Sequence, residues 1–202
     1  DLRTGDLMEH SPADMITKTV NANYIKGAPC PTWEKFLDRI MGGNVEMIDF
    51  LQRSVGYSIT GRVTEQVFFI LNGSGANGKS TFLETLTRLL GDGYAAGTPT
   101  ETIMQKRYDG GIPNDIARLK GARFVSINEV EKGRRMAESK VKQMTGGDTM
   151  TARFMHGEYF DFIPEFKLWL RANHLPIISD TTNSMWRRIR FIPCEVSIPE
   201  RE

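Results

Sequence analysis

Two hydrophobic periods divide this chain. Trp33, Phe36, Leu37, Ile40 and Met41 recur three and four residues apart, the one-face pattern of an amphipathic helix. Thr32 is its expected cap and Gly42-Gly43 its expected end. Asn44 then starts a second helix, with Met47, Ile48, Leu51 and Val55 inward and Gly56 as expected terminator. The period changes at Val67–Leu71, an unbroken apolar run of strand length, which suits a strand buried on both faces of a parallel sheet. A glycine-rich loop follows at once. After it comes a helix with Phe82, Leu86, Leu89 and Leu90 on one face, closed by Gly91.

Residues 92–113 carry Gly, Thr and Pro and read as a long irregular stretch. Phe124–Ile127 is a second buried strand, followed by a helix over 136–144. Thr149–Met155 and Glu158–Ile163 alternate in polarity around His156-Gly157, the pattern of a β-hairpin. Phe166–Leu170 is a third core strand and Ile189–Ile192 a fourth. Residues 1–31 are polar and weakly periodic, and read as a linker or the tail of a preceding module. The expected organisation is therefore a linker over 1–31, a small helical subdomain over 32–60 and an α/β domain over 61–202.

Composition changes this picture little. A chain of 202 residues with 40% hydrophobic and 25% charged residues suits one α/β domain with a small appendage. The net charge of +1 means that any nucleic-acid surface must gather its positive charge on one face. No apolar run approaches the roughly 18 residues needed to span a bilayer, so no membrane partner is expected. Cys30 and Cys194 lack metal-ligand spacing and are read as two free buried thiols, which favours a reducing, cytoplasmic compartment. The chain opens at Asp1 without methionine and reads as a piece of something longer.

The chemistry concentrates at Gly73-Ser74-Gly75-Ala76-Asn77-Gly78-Lys79-Ser80, which satisfies the phosphate-loop pattern in full. Its glycines let successive N–H groups turn toward a bound phosphate, and the following helix adds its positive end. Lys79 would contact the β- and γ-phosphates of ATP, while the Ser80 hydroxyl would ligate Mg²⁺. Such a site needs an acid at the end of a neighbouring strand to hold Mg²⁺ and orient water. Glu129 stands there, with Glu131 close behind; two solvated loop acids are the bland alternative. Asn173 follows another apolar strand, where an amide can sense the γ-phosphate, although a plain turn asparagine has the same spacing. Arg187 and Arg188 are candidates for an arginine finger, against the commoner reading of surface ion pairs. On the hairpin, Arg153 and His156 alternate with Phe154 and Tyr159, a mixture suited to single-stranded nucleic acid.

In this order the chain resembles the superfamily 3 helicases, in particular the phage and plasmid primase-helicases and the related poxvirus primase-helicase. The resemblance runs from about Cys30 to Pro193. It rests on Phe50-Leu51-Gln52-Arg53 leading to Gly56-Tyr57, on Gly73–Thr81, and on Ala117–Arg123 leading into Glu129. Lys142–Asp148, Phe166–Leu170 leading to Asn173-His174-Leu175-Pro176, and Trp186–Arg190 complete it. The resemblance implies a modified AAA+ P-loop fold: a mainly parallel sheet flanked by helices, with a protruding hairpin. It also implies a hexameric homo-oligomeric ring, ATP between subunits and single-stranded DNA in the channel. Lys79 and Ser80 match the Walker A groups, with Thr81 beside them, and Glu129 matches the Walker B acid. Asn173 matches the sensor, Arg187 or Arg188 the finger, and the hairpin with Arg153 and His156 the DNA grip. A primase module upstream, and a bacterial host cytoplasm for a phage or plasmid protein, belong to the same expectation. Relatives often carry two adjacent Walker B acids, whereas here Asn128 precedes Glu129 and the next acid is Glu131. A P-loop enzyme that phosphorylates a small molecule and a non-hydrolysing nucleotide-binding assembly module are the alternatives.

Overall fold

Five strands, all parallel, form the central sheet of the computed structural model, which describes residues 1–2, 4–106 and 114–199. They are β1 Phe68–Asn72, β2 Ala95–Thr98, β3 Phe124–Ile127, β6 Lys167–Ala172 and β7 Ile189–Pro193, in the order β2-β3-β6-β1-β7. A separate antiparallel hairpin joins β4 Met150–Arg153 to β5 Tyr159–Phe162. The helices are α1 Pro31–Ile40, α2 Val45–Ile59, α3 Lys79–Tyr94, α4 Asn114–Ala117, α5 Glu138–Gly146 and α6 Asn183–Trp186. None of them is long and apolar enough to cross a membrane.

The unbroken apolar runs do what a doubly covered strand requires. Successive side chains point to opposite faces, and both faces are buried. In β1, Phe69 and Leu71 pack with Leu37, Ile40, Leu51, Phe82 and Leu86 of α1, α2 and α3. Phe68 and Ile70 pack on the other side with Val141 and Met144 of α5 and with Met150 of the hairpin. Trp169 in β6 anchors the first layer. It stacks on Phe69 at 4.1 Å between ring centres, and its Nε1–H donates to Ser58 Oγ at 3.1 Å. Ser58 Oγ in turn donates to the Ser54 carbonyl, so the one polar atom of a fully buried indole is satisfied.

Several expectations shift by physical causes. The first helix starts at Pro31, not after a Thr32 cap, because proline suits the first helical position. Asn44 does cap α2, its side chain accepting from Met47 N–H at 3.0 Å, but the helix passes through Gly56 to Ile59. Burial of Leu51, Ser54 and Ser58 on one face outweighs the weak helix preference of one glycine. In α3 Leu83 is buried while Leu89 is 44% exposed. Gly91 does not close that helix but kinks it, at φ 63°. The buried apolar residues of α1 and α2 share one cluster with β1 and β6.

Cys30 is exposed and only Cys194 is buried. The irregular stretch 92–113 contains the parallel edge strand β2 and a short 3-10 turn, Thr100–Thr102; its residues 107–113 lie outside the described residues. Among the described residues of 1–30, the one regular element is the 3-10 turn Pro12–Asp14. They are nonetheless tied to the sheet domain: Asn21 N–H donates to the Leu89 carbonyl at 3.0 Å and Lys18 Nζ to the Gly121 carbonyl at 2.7 Å.

Candidate functional site

The phosphate loop joins the end of β1 to the start of α3, where parallel strands present their carboxyl ends. Its backbone is left-handed at Gly75, Ala76 and Gly78, with φ of 118°, 48° and 76°. Two glycines are required by space. A Cβ on Gly73 would lie 2.3 Å from the Cys194 carbonyl oxygen, and one on Gly78 would lie 2.4 Å from Ile40 Cγ2. The loop is thus clamped between α1 and the chain leaving β7. Asn77 Nδ2 donates to the Cys194 carbonyl at 2.9 Å, Cys194 N–H to the Asn72 carbonyl at 2.7 Å and Ile198 N–H to the Ala76 carbonyl at 2.6 Å.

Lys79 is 4% exposed and donates to the Gly73 carbonyl at 2.8 Å and to Asn77 Oδ1 at 2.6 Å. Burial lowers its pKa from the ordinary lysine value, and the nearby Arg171 charge acts in the same direction while Glu129 opposes. Such an ammonium has much to gain from anionic oxygens. Cys194 is a buried thiol pushed up to about 11 by desolvation, so it adds no charge at neutral pH.

A cavity of about 390 Å³ opens beside the loop, lined by Gly75–Thr81 together with Glu129, Asn173 and Arg171. The structure therefore brings together Lys79, Ser80, Thr81, Glu129 and Asn173 from the ends of three elements. Gly73 contributes its carbonyl to Lys79, and Ser74 is exposed at the loop surface. Thr100 Oγ1 donates to the carbonyls of Asn128 and Glu129, fixing the backbone that presents the Glu129 carboxylate. Glu131 is not part of this lining; it is exposed and lies 3.6 Å from Arg134 in an ion pair. Among the described residues no group of three His, Cys, Asp or Glu side chains forms a metal cluster; Ser80 and Glu129 both line the cavity.

The two adjacent arginines part company. Arg188 is 7% exposed, and its guanidinium is spent inside its own chain, on Thr145 Oγ1 at 3.2 Å, the Ser184 carbonyl and Gln66 Oε1 at 3.3 Å. Arg187 is exposed and touches Gln66 Oε1 as well. Gln66 Nε2 donates to the Gly146 carbonyl at 3.2 Å, just before β4, so one amide connects both arginines to the root of the hairpin. On that hairpin Arg153 pairs across the strands with Tyr159, its guanidinium 4.7 Å from the ring centre. His156 sits at the tip with φ of 62°, and Phe154, Met155 and Tyr159 are all exposed.

Arg171 was not singled out by motif reasoning. It donates from NH1 to Ser80 Oγ at 2.6 Å and lines the same cavity. The only sequence signal was its place two residues before Asn173, hence on the same face of β6.

Over 198 residues the chain is 32% identical to the "Putative helicase L207/L206" of Acanthamoeba polyphaga mimivirus, covering 96% of this chain and 20% of that protein. It is 24% identical over 194 residues to the "Putative primase C962R" of African swine fever virus, covering 94% of this chain and again 20% of the relative. The chain thus spans about a fifth of the length of these curated relatives. The solved C-terminal region of NrS-1 shares the fold at a TM-score of 0.65, with 14% identity over 90% of this chain and 42% of that one. Residues 1–42 match the family described as D5 N terminal like. Residues 71–188, more than half of the chain and the whole stretch from the glycine-rich loop to Arg187 and Arg188, match the family of unknown function DUF5906, and the chain belongs to that family.

Proposed function

We propose that this chain is the ATP-hydrolysing motor of a replicative DNA helicase, working as a ring on single-stranded DNA. The observation that carries this reading is the convergence of Lys79, Ser80, Glu129 and Asn173 on one cavity at the ends of parallel strands. The helicase and primase names of its viral relatives support the same role, with a primase module elsewhere in the longer protein.

The residues present fit a magnesium nucleotide. Gly73 and Gly78 let the loop pack tightly against Cys194 and Ile40, which holds its backbone in place, and the first turn of α3 offers N–H groups without intrahelical partners. Bound Mg²⁺ supplies positive charge to the phosphate oxygens, with Ser80 and Glu129 as its protein side. Lys79 holds the β- and γ-phosphates. Glu129 orients a water for in-line attack on the γ-phosphorus; the new P–O bond forms as the bond to the β-phosphate oxygen breaks, giving ADP and phosphate. Asn173 positions that water or reports the γ-phosphate. Arg187, exposed on the surface, completes the site of the adjacent subunit. Arg188 serves its own chain as a strut. Loss of the γ-phosphate then shifts the hairpin, whose Arg153, His156 and exposed rings grip the strand.

Steady-state hydrolysis measured against protein concentration, with and without single-stranded DNA, tests this. The rate per subunit is expected to rise with both, and Glu129→Gln to lower it by about a hundredfold or more. A rate indifferent to concentration and DNA would point instead to a monomeric kinase-type enzyme. Equal, negligible rates in parent and variant would leave only a nucleotide-binding assembly module.

A further inference from the structure

We infer that Arg171 is a γ-phosphate contact supplied from within the same subunit, which makes the site discriminate ATP from ADP. The inference rests on the nucleotide reading of the cavity and adds a residue to it.

Strand register sets the position. In β6, Leu168, Leu170 and Ala172 face the α5 side, whereas Trp169 faces α3. Arg171 and Asn173 continue the Trp169 face beyond the covered part of the strand, pairing in register with the end of β1 at Leu71. This brings the guanidinium over the first turn of α3. Its NH1 donates to Ser80 Oγ at 2.6 Å, and its charge depresses the pKa of Lys79.

Three features set Arg171 apart from an ordinary surface arginine. Its Nε is buried and has no hydrogen-bond partner among the protein groups. No carboxylate among the described residues forms an ion pair with it. It also stands, with Ser80, in the wall shared by the phosphate cavity and a second cavity of about 250 Å³ that runs toward Asn128 and Arg88. A half-buried guanidinium with one neutral hydroxyl acceptor and an unused N–H is under-satisfied, and burial of an unpaired charge is costly. A planar fork of this kind is suited to phosphate oxygens. The loop amides hold the phosphates nearer the nucleoside, and Lys79 reaches from the β- to the γ-phosphate. The group beyond Ser80, toward Glu129 and Asn173, is therefore the terminal one, and the face that Arg171 shares with Asn173 points there.

The test is equilibrium binding of a fluorescent, non-hydrolysable ATP analogue and of ADP, both with Mg²⁺, to the parent, Arg171→Ala and Arg171→Lys. Arg171→Ala is expected to weaken the triphosphate by about tenfold or more, the order of one charge-assisted hydrogen bond, while ADP affinity stays close to the parent's. Retained ADP binding shows that the loop is still folded. Arg171→Lys is expected to recover only part of the preference, because a point charge replaces the fork. If triphosphate and diphosphate weaken together, or neither changes, Arg171 is not a γ-phosphate contact. If the parent binds neither nucleotide, the nucleotide reading of the cavity fails first and this inference falls with it.

Discussion

Lys167 shows how one buried charge sets a measurable property of the chain. It begins β6 at the end of the sheet away from the phosphate loop, is 1% exposed, and lies 4.5 Å over the Tyr57 ring. Burial, and then the charge of Arg123, push its ammonium down to about 8 from an ordinary 10.5, with Glu165 opposing. The unfolded chain therefore holds more protons than the folded one between those two values, and stability rises with pH across that window. Below the folded value the penalty of the buried charge is felt in full. One unit corresponds to about 1.4 kcal/mol, so the whole increment is a few kcal/mol at most. Cys194 works the other way: its thiol is raised to about 11 from 9, so it costs stability as pH climbs past 9. The comparison must accordingly be between Lys167→Met and its parent. Urea midpoints at pH 7.5 and pH 10 are expected to show the variant gaining stability at the lower pH and losing the rise. Superimposable pH dependences would show that this amine is not responsible.

At the scale of elements, the hairpin is the part whose two faces do different work. Met150, Ala152 and Phe162 are buried in the α5-side core and root it, while Phe154, Met155 and Tyr159 remain exposed toward its tip. Truncation of the exposed residues should therefore spare the fold. Phe154→Ala and Tyr159→Ala are expected to weaken single-stranded DNA binding by about 1–3 kcal/mol each, the worth of a stacked base, with unchanged thermal midpoints. Undiminished DNA binding by a double variant would remove the hairpin from the DNA path. The hairpin was readable because strict alternation and a His-Gly turn are local signals. The three inner strands and β7 were readable for a similar reason: each is a mainly apolar run between polar stops. β2 was not, because Ala95-Ala96-Gly97-Thr98 has neither alternation nor bulk. It is a strand through its pairing with β3, from Ala95↔Phe124 to Thr98↔Ile127, which no local pattern records. The glycine-rich loop was legible because its pattern lies in consecutive residues. Arg171 was not, since its meaning lies in the register of β6 against β1 and in the approach of α3. Nor does adjacency in the chain separate Arg187 from Arg188; only the packing of Thr145, Ser184 and Gln66 around one of them does so.

At the scale of the whole molecule, the phosphate cavity and the exposed Arg187 belong to different parts of the surface that a ring would bring together between copies. Ring interfaces are heterologous: each copy offers one face to its neighbour and receives the opposite face in return. A subunit carrying Lys79→Ala would then lack its own nucleotide site but still donate Arg187 next door. One carrying Arg187→Ala would keep its nucleotide site but fail its neighbour. Arg187 suits such a substitution, because its side chain is exposed and the Gln66 amide it touches also receives Arg188. Arg188→Ala would not serve, since it strips a buried network that includes Thr145 and would destabilise every copy. Each of the two chosen variants alone is expected to hydrolyse almost no ATP. Mixed in equal amounts, they should recover about a quarter of the parent rate, the share of random neighbours in which an intact site faces an intact arginine. Recovery should depend on total protein and on single-stranded DNA, as assembly does. Strict additivity of two inactive proteins, with no gain on mixing at any concentration, would mean that hydrolysis does not use Arg187 of a second copy, and the ring reading would lose its catalytic basis.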